Sequence, residues 1–548
     1  MLTSAPTPQP LAALGPRLGP RPGPPLSPRP AAQQAHACAA RYEVVILGAG
    51  MSGLCLGIEL KRAGLHDFLI LEKQTGIGGT WWDNRYPGAH VDVPAPLYSF
   101  SFEPNPRWRQ RFAAAPEIQA YMEHCADKYG LRPHLRLGVK IVAARFDEAE
   151  GLWMLDTETA EGPRQLQTRF FICSTGPLSQ VRWPDIPGLD HFQGRKLHSA
   201  RWDPTFTAGG QRLAVIGTGS TASQLIPPLA RQAAQLHVFQ RTANWVLPRM
   251  DRPYFALDRL LARFPPYAWA VRAFWYHLLE WGRRGFDEGT MARRGMLKTA
   301  ALHLQRQVPD PALRAKLRPP YPLGCKRIIY SNDFYPALSQ PNVELVTEAI
   351  ERITPTGIVT ADGRERPIDT LVCATGFDTT RLLSSVDIQG LGAQRLSAAW
   401  RDGAQAWQGV AVAGFPNLFL MLGPNTGTGH TSTLLYIEPQ AQHIVACIRH
   451  VLQGGHRWIF ARPRVQAAYN EALQARLAGS VWSACRSWYR DDSGRIVALW
   501  PGFTKDYVKG LTAPDFAAYE LMPGVRQQAT HQAAPRASPP AGTDRWSR

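Results

Sequence analysis

The chain has 548 residues, 45% of them hydrophobic, which is enough for two or three domains with buried cores. Its formal net charge of +18 is dispersed rather than gathered into one dense run, which argues against nucleic acid and fits a basic surface that draws anionic dinucleotides to their clefts. Eight cysteines are spread out with no CxxC pair and no His/Cys cluster at zinc spacing, so a metal site and a flavin-linked dithiol reductase are disfavoured and a reducing cytoplasm fits.

The first forty residues are rich in Pro, Ala, Gly and Gln, carry Arg17, Arg21 and Arg29, and contain no acidic residue. They lack the apolar core of a secretory signal, which leaves a disordered Pro-rich extension or a transit peptide. No run of 18 apolar residues supports a transmembrane helix.

Folded sequence is expected from Tyr42, where Tyr42 to Leu47 has the short apolar character of a buried parallel strand. It runs into Gly48-Ala49-Gly50-Met51-Ser52-Gly53, then a helix over Leu54 to Ala63 and a second strand at Phe68 to Leu71. This is GxGxxG in its required context, directly after a strand and opening a helix, where backbone N–H groups reach a pyrophosphate. Glu72 ends the second strand 19 residues after Gly53, where a carboxylate accepts hydrogen bonds from ribose hydroxyls.

Short strands are expected over Lys140 to Phe146, Leu152 to Glu158 and Arg169 to Cys173, ending in the turn Ser174-Thr175-Gly176. A second strand-loop-helix start follows. Arg212 to Ile216 precedes Gly217-Thr218-Gly219-Ser220-Thr221-Ala222, a helix runs to about Gln232, and Leu236 to Phe239 is the next strand. That strand ends in Gln240-Arg241-Thr242, with a cation where a carboxylate otherwise sits. Arg241 pairs with a 2′-phosphate and selects NADPH, unless it is an ordinary solvated arginine.

From Asp251 to about Gln307 the pattern becomes helical and aromatic, with Trp269, Phe274, Trp275, Tyr276 and Trp281 interleaved with arginines. An ordinary helical subdomain core is the plainer reading; a cap over the active site or contact with a membrane surface is the other. A strand and turn like the earlier one recurs at Thr370 to Gly376.

Two linear patterns carry a family resemblance. Phe192-Gln193-Gly194-Arg195-Lys196-Leu197-His198-Ser199-Ala200-Arg201-Trp202-Asp203 fits FxGxxxHxxxW[P/D] at every fixed position, and Gly78-Gly79-Thr80-Trp81-Trp82-Asp83-Asn84-Arg85-Tyr86-Pro87-Gly88-Ala89-His90-Val91-Asp92 fits a glycine pair, Trp, Tyr-Pro-Gly and Asp. With both glycine loops, these resemble the class B flavoprotein monooxygenases, and within them the type I Baeyer-Villiger monooxygenases, over roughly residues 42–521.

The resemblance implies an α/β fold with two Rossmann-like dinucleotide-binding domains. Residues 42–190 and 378–523 would bind FAD, and 191–377 would bind NADPH and carry a helical insertion at about 251–320, with disordered tails at 1–41 and 524–548. Gly79, Thr80, Trp81 and Asp92 would lie by the flavin, and Arg327 would be the catalytic arginine. Lys326 would join Arg241 and Thr242 at the 2′-phosphate, beside Ser220 and Thr221 of the loop. Phe192, Gly194, His198, Trp202 and Asp203 would couple the domains. Gly423 to Ser432, with Asn425, resembles the family's return to the flavin. His90 departs from the pattern, because Arg often stands two residues before the Asp.

The implied chemistry is hydride reduction of FAD by NADPH, addition of O2 as a flavin C4a-peroxide, and insertion of oxygen beside a ketone to give an ester or lactone. Arg327 would stabilise the anionic oxygen, with Asp92 holding the arginine. A small apolar ketone is the expected substrate. N- or S-oxygenation or hydroxylation by the same oxidant is the alternative, and a redox-sensing flavoprotein that only reduces oxygen is a rival of another class.

Overall fold

The computed structural model describes residues 40–524, so nearly all of both expected tails lies outside the described residues. Two sheets, one mixed and one wholly parallel, each built around a strand that feeds a glycine loop, organise the rest.

The first sheet is centred on Ala40–Leu47, which has parallel partners on both sides, Phe68–Glu72 and Gly162–Cys173. Val45 and Ile46 are fully buried, which explains the unbroken apolar run of a strand covered on both faces. Gly162–Cys173 continues into an antiparallel meander with Leu152–Thr159 and Lys140–Asp147. The chain returns to this sheet late: Asp387–Gln389 pairs with Lys140–Asp147, and Leu418–Leu420 pairs with Gly162–Cys173.

The helix after the first loop spans Met51–Arg62, three residues earlier than the sequence pattern suggests, because Gly50 already serves as its extended N-cap. Leu54, Leu56, Ile58 and Leu60 are fully buried between the sheet and the long helix Leu434–Gln453. At about 2 kcal/mol for each buried Leu or Ile, this packing fixes where the loop stands.

The second sheet has the order Val343–Val346, Gln235–Phe239, Arg212–Ile216, Thr370–Cys373, Arg195–His198, all parallel. In both sheets the loop-bearing strand lies between a neighbour reached through its own helix and one reached by a long crossover, so both loops open at a switch in strand order. That is where open α/β sheets leave a ligand crevice.

The helical segment between the second sheet's strands contains Ala256–Leu261, Pro265–Gly282, Met291–Gln307 and Pro311–Lys316. Its two ends are pinned together where Val246–Leu247 pairs in parallel with Ile329–Tyr330. Arg327 sits two residues before that pairing, so the insertion's return path sets its position.

Candidate active site

The first glycine loop is built for close backbone approach. Gly48 has φ +106°, and a Cβ there would meet the Ser174 carbonyl at 2.8 Å, while a Cβ on Gly53 would stand 1.9 Å from the Gly48 carbonyl oxygen. Gly79, at φ +53°, faces Gly50 with only Cα atoms between them. Thr80-Trp81-Trp82-Asp83 then forms one helical turn, and Trp81 Nε1 donates to the Tyr98 hydroxyl at 3.0 Å. Glu72 is buried at the strand end. Its two carboxylate oxygens accept from Ala49 N and Gln74 N, each at 2.9 Å, and burial raises its pKa despite these bonds. A cradle of bare backbone beside a carboxylate fits the pyrophosphate and ribose of FAD.

The second loop repeats the geometry. Gly217 has φ +113° and abuts the Ala374 carbonyl, as Gly48 abuts Ser174. A Cβ on Gly219 would meet open space, and Ser220 and Thr221 begin the helix Ser220–Ala230. Beyond the next strand Arg241 is exposed, while Thr242 offers its carbonyl to Thr218 Oγ1 at 3.4 Å. Lys326 lies over the Tyr321 ring at 4.6 Å. Its pKa is lowered by burial and by the positive charge of Arg241. Two mutually repelling cations with no carboxylate paired to either among the described residues suit a phosphate, the group that distinguishes NADPH from NADH.

Between the loops lies an ion pair. Arg327 donates from Nε and Nη2 to Asp92 Oδ2 and Oδ1 at 2.7 and 2.8 Å, and from Nη1 to the Thr428 carbonyl at 3.3 Å. The chain from Gly79 to Asp92 reaches this point by crossing the molecule. Gly79 touches the first loop, and Gly88 at φ +83° packs on Gln224 of the helix after the second. Gln224 Oε1 accepts from the Tyr86 hydroxyl at 2.8 Å, and Gln224 Nε2 donates to the His90 carbonyl at 3.0 Å. Burial pushes the Asp92 carboxyl up, but the charge and hydrogen bonds of Arg327 outweigh it and hold it below the usual carboxylate range. Burial likewise disfavours the guanidinium, and Asp92 more than offsets this, so the arginine stays charged. The phenols of Tyr489 and Tyr330 are pushed up by burial and remain neutral beside it.

At His90 the structure supplies what the sequence leaves out. The guanidinium of Arg249 lies against His90 Nε2, while His90 Nδ1 donates to the Gly88 carbonyl at 2.7 Å. Burial and the Arg249 charge lower the His90 pKa to about 4, so the ring is neutral near pH 7 and the local cation is Arg249.

The residues of the long pattern gather around the edge strand Arg195–His198 of the second sheet. His198 ends the edge strand of the second sheet, nearly fully buried, with Nδ1 accepting from Ala200 N at 3.1 Å and Nε2 3.4 Å from Thr375 Oγ1. Burial lowers its pKa to about 4. A Cβ on Gly194 would strike the Asp369 carbonyl at 2.4 Å and the Phe192 ring at 2.5 Å. Trp202 packs edge-on against Phe206, and Asp203 accepts from Thr205 and lies 3.5 Å from Arg195. Arg201 ties this pattern to the other one by an ion pair with Asp83 at 3.0 Å.

Asn425 differs from expectation. Its N–H donates to Val497 O and its Nδ2 to Ile496 O and Leu499 O, so these donors anchor the turn to residues 496–499 and are not free for a flavin. The cysteines differ too, because Cys325, next to Lys326, is disulfide-bonded to Cys485. No local motif in the sequence marks Gln224, Arg249, Tyr98 or Tyr489. Among the described residues no group of His, Cys, Asp and Glu could hold a metal ion, and no helix is long and apolar enough to cross a membrane.

Comparison with known proteins matches residues 46–115 to an NAD(P)-binding Rossmann-like domain. The chain is 39% identical over 487 residues to a Baeyer-Villiger monooxygenase of Streptomyces coelicolor, covering 87% of this chain and 92% of that one. It is 40% identical over 494 residues to a Baeyer-Villiger monooxygenase of Pseudomonas aeruginosa, covering 89% and 93%. Among solved structures it resembles oxidized steroid monooxygenase bound to NADP (TM-score 0.79, 30% identity, 88% of this chain and 100% of that one). The OTEMO complex with FAD and NADP is similar at TM-score 0.78 and 26% identity, with coverage of 88% and 100%.

Proposed function

The chain belongs to the Baeyer-Villiger monooxygenases, and on that premise we propose that it inserts one oxygen atom next to the carbonyl of an apolar ketone, giving an ester or lactone, with NADPH and O2 as co-substrates. Bound FAD, reduced by NADPH, supplies the activated oxygen. The observation that carries the reading is the Arg327–Asp92 pair between the two nucleotide loops.

The first loop with Glu72, Gly79, Thr80 and Trp81 holds the FAD, and the second loop with Ser220, Thr221, Arg241, Thr242 and Lys326 holds the NADPH. Arg327 presents a charge that persists at working pH toward the developing negative oxygen of a ketone under attack, and Asp92 fixes its orientation. His198 and Trp202 serve to couple the two domains: His198 is buried with Nδ1 3.1 Å from Ala200 N and Nε2 3.4 Å from Thr375 Oγ1, a positioning role rather than proton transfer. The proposed domain limits are those in which residues 42–190 and 378–523 serve FAD and 191–377 serve NADPH. The proposed setting is the cytoplasm, where NADPH is supplied.

The test is to reduce the FAD-loaded enzyme with NADPH without oxygen, then mix it with aerated buffer containing a simple cyclic ketone or, separately, a thioether. Lactone formed in step with the NADPH consumed is expected. Sulfoxide alone would transfer the enzyme to heteroatom oxygenation, and hydrogen peroxide alone from both mixtures would refute oxygenation of these substrates.

A further inference from the structure

The helical insertion does not hide its apolar side chains as a subdomain core would. Eleven of the fifteen large apolar side chains left exposed by the described residues fall between Met250 and Leu302. Trp269 is 72% exposed, and Phe255 and Leu257 are each 64% exposed. Isolated exposed leucines need no explanation, but a concentration in one segment does.

The helix Pro265–Gly282 is apolar on two sides. Trp275 is buried, and Val271, Leu278 and Leu279 pack on the main core. At 3.6 residues per turn, Trp269, Phe274, His277 and Trp281 fall within an arc of about 140° on the other side, and all four are exposed. The preceding helix Ala256–Leu261 and its flanks add the exposed side chains of Phe255, Leu257, Leu260 and Phe264.

Charge says what would cover it. From Arg252 to Arg284 the sequence holds six arginines, of which Arg252, Arg272 and Arg283 are ion-paired with Asp258, Glu438 and Asp287, while Arg259, Arg263 and Arg284 have no ion-pair partner among the described residues. Asp258 is taken by Arg252 at 2.6 Å, and Glu280 by His430 at 2.9 Å. Exposed Arg259 and Arg263, set among Phe255, Leu260 and Phe264, have no ion-pair partner among the described residues. A second copy laid face to face would oppose these arginines with arginines. The first forty residues of the chain, basic and without an acid, meet the same repulsion. Anionic lipid headgroups supply the missing charge, and the acyl boundary below them takes Trp, Phe and Leu.

We propose that the helices Ala256–Leu261 and Pro265–Gly282 form a surface that docks the enzyme on an anionic lipid bilayer, lying in its interface without spanning it. The test uses the full-length FAD-loaded enzyme and co-flotation with phosphatidylcholine vesicles, with or without phosphatidylglycerol. Binding to the phosphatidylglycerol vesicles, weakened by salt, is expected. The double variants R259Q/R263Q and F264S/W269S should each bind roughly tenfold more weakly while FAD content and NADPH oxidation stay at the wild-type level. Absence of binding, equal binding to phosphatidylcholine alone, or variants that float like wild type would overturn the proposal. So would a concentration-dependent dimer that F264S/W269S abolishes while vesicle binding is unchanged, because the face would then belong to a second copy.

Discussion

Arg327 and Asp92, 235 positions apart in the chain, meet in a two-point contact at 2.7 and 2.8 Å, and each holds the other in its charged state. Arg327→Ala should leave FAD reduction by NADPH near its wild-type rate and lower the rate of ester formation by about 10² to 10³, the usual loss when a donor to a developing oxyanion is removed. Asp92→Ala leaves the guanidinium without its partner and should also release oxygenation from NADPH consumption. Parallel assays of NADPH, hydrogen peroxide and ester check both, and an R327A enzyme with wild-type ester yield would remove the arginine from its proposed role.

Burial, and after it the charge of Arg241, lowers the Lys326 pKa, and neither cation is paired with a carboxylate among the described residues. If a 2′-phosphate pairs with both, Arg241→Ala and Lys326→Ala should each raise the KM for NADPH about tenfold, a cost of about 1.4 kcal/mol, and leave the KM for NADH nearly unchanged. Steady-state kinetics with both nucleotides decide it. An equal rise for both would place the two cations on the shared pyrophosphate.

What the sequence made legible follows from how far apart the interacting residues lie. Gly48, Gly50 and Gly53 fall within six successive residues, so their spacing carries the geometry, and Glu72 is one strand away. The Arg327–Asp92 pair has no such local signature and came from resemblance to a family. Gln224 on the Tyr86–His90 segment, and Arg249 against His90, are contacts made only when the insertion and the second sheet close on the glycine-pair segment. Asn425 shows the reverse situation, with its donors engaged by the protein and its buried Oδ1 without a protein partner. It stands in a glycine-rich turn that invites a ligand reading, but its donors are consumed by residues 496–499, which sequence proximity does not reveal. The insertion's helical pattern is legible in its sequence, yet no periodicity indicates which of its apolar faces stays uncovered.

The bond between Cys325 and Cys485 ties the residue before Lys326 to the segment that carries Tyr489. It closes a loop with a sequence separation of 160. On a chain-entropy account such a crosslink is worth at most about 5 kcal/mol. Denatured protein should therefore show six thiols before reduction and eight after it, and dithiothreitol should lower the Tm of wild type but leave Cys485→Ser unmoved. Eight thiols without reduction would show that the pair is open in solution, as a reducing compartment would keep it.

His443 provides the pH dependence. It is almost fully buried on the helix Leu434–Gln453, with Nδ1 3.2 Å from the Leu511 carbonyl and Nε2 2.7 Å from the Tyr519 hydroxyl, and burial lowers its pKa to about 4. The unfolded chain takes a proton on this residue below about pH 6.5, whereas the folded chain does not until about pH 4. Stability from His443 is therefore complete above the unfolded value and declines as pH falls through that window, by up to about 1.4 kcal/mol per pH unit. His198 and His90, whose pKa values burial also lowers to about 4, act in the same direction. Urea unfolding of wild type and His443→Gln at several pH values between 7.5 and about 5 measures the effect. The substitution disturbs packing and lowers stability at every pH, but only the lost titration flattens the slope. Parallel slopes for the two proteins would mean that His443 is already protonated in the native state, against the neutral ring that its burial requires.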